Sequence, residues 1–251
     1  VETILHATLP YKYVDHTHAD AVITITNTPN GFDRIREIYG DRLVVIPYVM
    51  PGFDLARLCA QKFAADATEK TVGMVLMNHG LFSFGETARE SYERTIELVS
   101  LAEDYLHKHN ASSPPSAQAT AKPDEKPLRH ALAELRHQLS QSAGFPVILA
   151  TDRHSKTLAY ARRDDISTIS QQGPLTPDHV IRTKRIPLLG RDVEAYAAAY
   201  QAYFQAHAGA NLTMLDPAPR VVLDPDFGMS TVGQTAKQAQ IVADIYDRTI
   251  D

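Results

Sequence analysis

Three histidines carry the chemistry legible in this chain. His16 and His18 flank Thr17 within the stretch VDHTHADAVITIT (residues 14–26). In an extended strand, residues i and i+2 point to the same face, so the two imidazoles can grip one ion together. Alone, a His-x-His pair more often marks two polar residues at a strand entrance. His79 changes the balance. It closes the apolar run TVGMVLMNHG (71–80) and is followed by Gly80, where the backbone can turn and approach a ligand closely. Three imidazoles with an open fourth position is the arrangement of a catalytic zinc site, whereas structural zinc sites close that position, usually with thiolates. The single cysteine, Cys59, falls on the apolar face of a helical pattern and reads as core. Asp15 and Asp20 flank the ligand pair and could orient an imidazole, though strand-end and turn roles suit them better.

The elements that must position these residues follow from periodicity. DAVITIT (20–26) and RLVVIPYV (42–49) read as strands, and DLARLCAQKFAA (54–65) has helical spacing. Residues 71–85 read as strand, glycine turn and strand, followed by a long amphipathic helix over 86–106. Residues 107–127, rich in Ser, Ala, Pro and charge, read as a linker. Beyond it come a helix over 127–139, a strand over 146–152 and an Ala- and Tyr-rich helix over 193–207. Strands mixed with helices at this density imply a layered α/β architecture.

The second half repeats the first. GLFSFGETARE (80–90) and GMSTVGQTAKQ (228–238) align without a gap, and IPYVMPGFDLARL (46–58) faces IPLLGRDVEAY (186–196) with a short deletion. Two matched blocks in one order imply an internal duplication. Phe227 stands where the first copy has His79, and the His-x-His is gone. The repeat keeps the scaffold and loses the metal site.

Bulk properties exclude several classes. At 251 residues and 44% hydrophobic content the chain can bury one large core or two modest ones. A net charge of -5 without a basic stripe argues against nucleic acid as a partner. No apolar run is long enough to span a membrane, no secretory leader is evident, and a lone cysteine suits a reducing compartment, so the expected location is cytoplasmic. The chain begins with Val1 inside apparent structure, which reads as a piece of something longer.

ETILH (2–6), HTH (16–18) and MNHG (77–80) together resemble the class II aldolase/adducin family. VDHTHADA and MNHGLFSFGETARESYERTIELV are similar, more narrowly, to the aldolase part of bifunctional aldolase/short-chain dehydrogenases of the rhamnulose-1-phosphate aldolase type. The motif GPLTPDHVIRTK (173–184) is also typical of that subgroup. The resemblance implies a three-layer α/β/α fold around a mixed, largely antiparallel sheet, with a zinc-binding region over 1–106, a linker over 107–127 and a degenerate aldolase-like half over 128–251. It assigns His16, His18 and His79 as zinc ligands and Glu2 as the catalytic carboxylate. Tyr11 and Tyr13 could protonate a leaving group, although aromatics before a strand more often pack. The implied reaction is cleavage of a ketose 1-phosphate to dihydroxyacetone phosphate and a small aldehyde, in a tetrameric or dimeric homo-oligomer. NAD would serve only the dehydrogenase part, since no Gly-x-Gly-x-x-Gly fingerprint occurs here. The family's phosphate-binding loops lie upstream of the glutamate, so this stretch is expected to bind metal and cleave poorly by itself. Epimerases and dehydratases of the superfamily use the same histidines, and adducin-like members are non-catalytic binding modules. Both readings stay open at this point.

Overall fold

The computed structural model describes residues 2–111 and 125–251, with side chains from 3 and from 127. It divides into two compact units, Val1–Ser113 and Pro114–Asp251. The first unit runs α1 (Glu2–Thr8), β1 (Tyr13–Thr17), α2 (Asp20–Thr26), α3 (Gly31–Tyr39), β2 (Leu43–Ile46), α4 (Phe53–Asp66), β3 (Gly73–Leu76), β4 (Gly80–Gly85) and α5 (Ala88–Lys108). Its strands lie in the order β1-β4-β3-β2, with β2 parallel to β3 and the other pairs antiparallel.

Alternation along these strands feeds two cores. Val44, Ile46, Met74, Leu76, Phe82 and Phe84 face Leu5 of α1, Leu9 just after it, and Leu55 and Cys59 of α4. Leu43, Val75 and Leu81 face Val22 and Ile25 of α2, Ile35 of α3 and Leu98 of α5. Helices on both faces of one sheet make the three layers, and the buried strands are apolar on both sides for that reason. Cys59 is fully buried on α4, which pushes its thiol up to about 12 and leaves it a packing residue. Tyr11 likewise packs, stacked on Phe84 at 4.9 Å, while Tyr13 is exposed.

One expectation fails. Residues 20–26 form the helix α2 and no strand. The β-branched residues favour extended backbone, but Val22, Ile23, Ile25 and Thr26 fall on one helical face, and all four are buried. Tertiary packing of that face overrides a preference worth at most about 1 kcal/mol.

The second unit repeats the plan with α6 (Glu125–Ala143), β5 (Ile148–Asp152), α7 (Ser155–Ala161), α8 (Ile166–Ile169), α9 (Pro177–Arg182), β6 (Leu188–Leu189), α10 (Val193–His207), β7 (Val221–Asp224), β8 (Gly228–Gly233) and α11 (Ala236–Ile250). Its sheet order, β5-β8-β7-β6, and strand directions match the first. The register matches too: Leu76 sits opposite Gly80, and Asp224 opposite Gly228. Thr87 caps α5 by accepting from the Glu90 N–H, and Thr235 caps α11 by accepting from the Gln238 N–H. The shared Ile-Pro dipeptide misleads in one place. Val45 pairs with Val75, whereas the equivalent Leu223 pairs with Leu189, so Ile186 precedes β6 and is no counterpart of Ile46.

α9 belongs to the second unit alone, and His179 anchors it. The imidazole is 2% exposed, accepts at Nδ1 from the Thr176 backbone N–H (3.3 Å), and therefore donates from Nε2 to Thr249 Oγ1 (2.8 Å). Burial pushes its pKa from 6.5 down to about 4, with nearby Asp178 pulling weakly the other way. Between those values the unfolded chain binds the proton and the folded one does not, so stability is lost as pH falls. We expect unfolding free energy, followed by urea denaturation, to drop by about 3 kcal/mol from pH 6.5 to pH 4 on this account. That drop should be absent in the His179→Gln protein.

Candidate metal centre

β1, the β3–β4 corner and α2 bring the three histidines together. Ligand nitrogens of His16, His18 and His79 all lie within 4.8 Å of one another. His16 shares the Val14 face of β1, where its ring stacks on Phe82 at 4.0 Å between centroids and 15° between planes. Its Nδ1 lies 3.0 Å from the Leu81 carbonyl, which can only accept, so Nδ1 carries the proton and Nε2 the lone pair. That Nε2 is 3.1 Å from Nε2 of His18, which stands one residue beyond β1. Nitrogens sharing a tetrahedral zinc at about 2.0–2.1 Å are separated by roughly 3.3–3.4 Å, so the pair has nearly the spacing of two ligands on one ion. His79 is 5% exposed and completes the triangle, its ring 5.4 Å from His16 and 5.1 Å from His18.

The corner that delivers His79 is held from two sides. At Gly80 an added Cβ would sit 2.6 Å from the Thr17 carbonyl oxygen, 3.0 Å from the His18 ring and 3.1 Å from the His16 ring. Only glycine lets β4 pass this close behind the ligands. On the other side Asn78 adopts φ 58°, a left-handed conformation that asparagine tolerates better than most residues. Its backbone N–H donates to Thr26 Oγ1 (3.2 Å), and its Nδ2 donates to Asn27 Oδ1 (2.8 Å). The Thr26 hydroxyl in turn donates to the Ile23 carbonyl (3.1 Å). The last turn of α2 thus clamps the residue beside His79. Sequence reading missed this clamp because it took residues 20–26 for a strand; the only local signal was an Asn preceding the His-Gly pair.

A cleft of about 330 Å³ opens beside His79, lined by Thr3 and Leu5 of α1, Pro51, Gly52 and Leu55 at the start of α4, and Phe82. Glu2 opens α1, four residues before His6, whose ring meets Phe82 edge-on at 5.6 Å. The Glu2 side chain lies outside the described residues. Asp15 is exposed and unites with none of the histidines, and Asp20 opens α2. Imidazole donors, a fixed tautomer and a glycine cradle fit a borderline divalent ion such as zinc.

Models of two families of domain match the chain: the class II aldolase and adducin N-terminal domain over residues 1–106, and the class II aldolase second domain over residues 126–251. The chain belongs to the class II aldolase and adducin family. It is 32% identical over 272 aligned positions to a Bacillus subtilis protein named uncharacterized oxidoreductase YuxG, spanning all of this chain and 39% of that one. A solved N-terminal class II aldolase domain from Thermoplasma acidophilum is 48% identical, covering 42% of this chain and 47% of its own, with a TM-score of 0.38. An aldolase II superfamily protein from Pseudomonas syringae is 19% identical, covering 57% and 61%, with a TM-score of 0.36.

In this aldolase family chain the second unit carries the same corner with different chemistry. By strand register Thr151 takes the place of His16, Arg153 that of His18 and Phe227 that of His79. Phe227 is fully buried beneath Arg191, whose guanidinium lies 4.1 Å from the ring centroid and bridges Asp224 and Asp226 at 2.7 Å each. A hydrophobic plug and an ion-pair clasp replace three ligands.

Removing one imidazole from a three-histidine set leaves two, which hold zinc weakly. His79→Ala is therefore expected to abolish stoichiometric zinc in equilibrium dialysis. Asn78→Ala, which removes the clamp and the tolerance for positive φ, should weaken zinc binding roughly 10–100-fold, the usual cost of losing a group that orients a ligand.

Proposed function

We propose that the first unit is a zinc-dependent aldolase (lyase) module cleaving a ketose 1-phosphate, of the rhamnulose 1-phosphate kind, to dihydroxyacetone phosphate and a small aldehyde. The observation that carries the reading is the three-histidine cluster beside an open cleft, in a chain of the class II aldolase and adducin family. Breaking a carbon–carbon bond next to a carbonyl needs a sink for the departing electron pair. His16, His18 and His79 would hold a divalent ion, which would supply the Lewis acidity that such a step needs.

The chain's own residues do the rest. Leu81 fixes the His16 tautomer, so its Nε2 faces the site as a donor throughout turnover. Phe82 and Leu5 make the floor apolar, which strengthens every polar interaction in the cleft by excluding water. Glu2, at the N-terminus of the helix that borders the cleft, moves the proton at carbon. Retention of all three histidines speaks against an adducin-like, non-catalytic role for this unit. Tyr48, Met50 and Phe53, at 54%, 69% and 66% exposure around the cleft-lining Pro51 and Gly52, suit burial in a homo-oligomer, a tetramer or dimer. The relative's name makes an appended NAD-dependent oxidoreductase the natural consumer of the aldehyde.

The test is a coupled assay for dihydroxyacetone phosphate on the full gene product loaded with zinc. Ketose 1-phosphates should be cleaved, with His79→Ala losing metal and turnover together. Glu2→Gln should keep zinc and lose about two orders of magnitude in turnover, as for a missing proton-transfer group. Epimerisation of a sugar phosphate without triose release would transfer the site to the superfamily's epimerases, and full turnover by Glu2→Gln would remove that carboxylate from the mechanism.

A further inference from the structure

The two units differ sharply at one corner, where the strand–helix junction that follows the metal corner meets the long C-terminal helix of each unit. In the first unit the junction is Gly85-Glu86 and α5. Glu90 Oε2 accepts from the Glu86 N–H at 2.8 Å, and its other oxygen pairs with Arg94 at 2.7 Å. Charge there is balanced within the helix. In the second unit the same backbone is kept: Gln238 Oε1 accepts from the Gln234 N–H at 2.9 Å. The carboxylate has become an amide, so the outward atom that accepted from an arginine is now an NH2 that donates. The register position of Arg94 holds Val242, and that of Val72 holds Arg220.

The result is an open cavity of about 200 Å³ whose wall includes Arg182, Arg220, Asp216, Gln234 and Gln238. Its charge is not balanced. Asp216 is the only carboxylate lining it, and Arg220 already holds that group bidentately. A third cation is tied to the same residue: Lys184 donates to the Asp216 backbone carbonyl and lies over the Tyr200 ring at 3.9 Å. Lys184 is 7% exposed and adopts φ 61°, a left-handed conformation that a long side chain adopts only when the surroundings impose it. Burial, and then the Arg220 charge, depress its pKa to about 8, against the pull of Asp216. Arg182, at the end of α9, makes no ion pair among the described residues. Two guanidinium groups thus line the cavity with one carboxylate and two amides, and Lys184 adds a third positive charge from outside the lining. Both Arg182 and Lys184 come from the segment 173–184, whose helix α9 the first unit lacks.

We propose that this cavity is an anion site that takes a phosphate group, held by the Arg182 guanidinium and by the N–H groups of Arg220 that Asp216 and the Ala218 carbonyl leave over, with the Gln238 and Gln234 amides donating to its remaining oxygens. Guanidinium forks match phosphate geometry, and amides complete the oxygen shell without adding negative charge. The volume suits a small anion. It holds a phosphate group with a few bridging waters, at roughly 30 Å³ per water, and falls below the roughly 300 Å³ at which pockets for whole cofactors begin. The ligand is inorganic phosphate or the phosphate end of a small phosphomonoester.

The experiment is calorimetric titration of the metal-stripped chain with inorganic phosphate and, separately, with glycerol 3-phosphate, at low salt. One site per chain is expected, unchanged by His79→Ala. Arg182→Ala should weaken it about tenfold or more, and Gln238→Glu, which restores the carboxylate of the first unit, should abolish it. Both positions are exposed on helix surfaces, so folding is preserved and is verified by circular dichroism. Binding of both ligands would make the site one for phosphomonoesters, and binding of inorganic phosphate alone one for the free ion. Absence of binding, or affinity unaltered in both variants, would overturn the proposal.

Discussion

The organisation of the first unit depends on how closely the chain can return on itself between β3 and β4. Gly80 runs against the Thr17 carbonyl at a distance that forbids a Cβ, and this close approach seats the end of β1 beside the corner. From that one contact follow the pairing of His16 with Phe82, the stacking of their rings, and the meeting of three imidazoles from two distant segments. The corner is costly in conformational terms, with a non-glycine residue at positive φ directly before a ligand. The hydrogen bonds from Asn78 to the end of α2 offset that cost, so a helix that contributes no ligand is nevertheless part of the site.

The second unit is a control provided by the molecule itself. It has the same strand order, the same register and the same caps, and at its corner Gly228 takes φ 72° with the Asp152 carbonyl 2.5 Å from where a Cβ would stand. The close approach is therefore a property of the scaffold and not of metal binding. Where the ligands would be, a buried phenyl ring and an Arg191–Asp224–Asp226 clasp fill the volume. A half-buried bidentate pair with a ring beneath it gains packing as well as charge, and it needs no ion. The two units share the part that packs and differ where the first brings its three histidines together. The same logic applies at the start of α11, where two glutamates of α5's first turn and its approach became glutamines.

Much of this was legible in the sequence, for identifiable reasons. The His-x-His and the His-Gly pair are short-range patterns, so the three histidines that the fold brings together could be singled out in combination. The strands over 71–85 and the helices at 54–65, 86–106, 127–139 and 193–207 follow from unbroken periodicity. The gapless match of residues 80–90 with 228–238 follows from a junction whose glycines and caps tolerate little change.

What only the tertiary structure decided is every feature that rests on contacts between distant segments. DAVITIT has the composition of a strand, and only the cavity between α3 and α5 makes a helix of it. The Ile-Pro dipeptides suggested one alignment of the halves, and hydrogen-bonding between β6 and β7 selected another. The clamp on Asn78 joins residues 52 positions apart, and the excess of cations around Asp216 gathers side chains from α9 and the approach to β7. Local sequence determines periodicity, caps and donor types because these act within a few residues. It leaves unspecified which faces meet, and a side chain's charge balance, tautomer and access to a ligand are properties of that meeting.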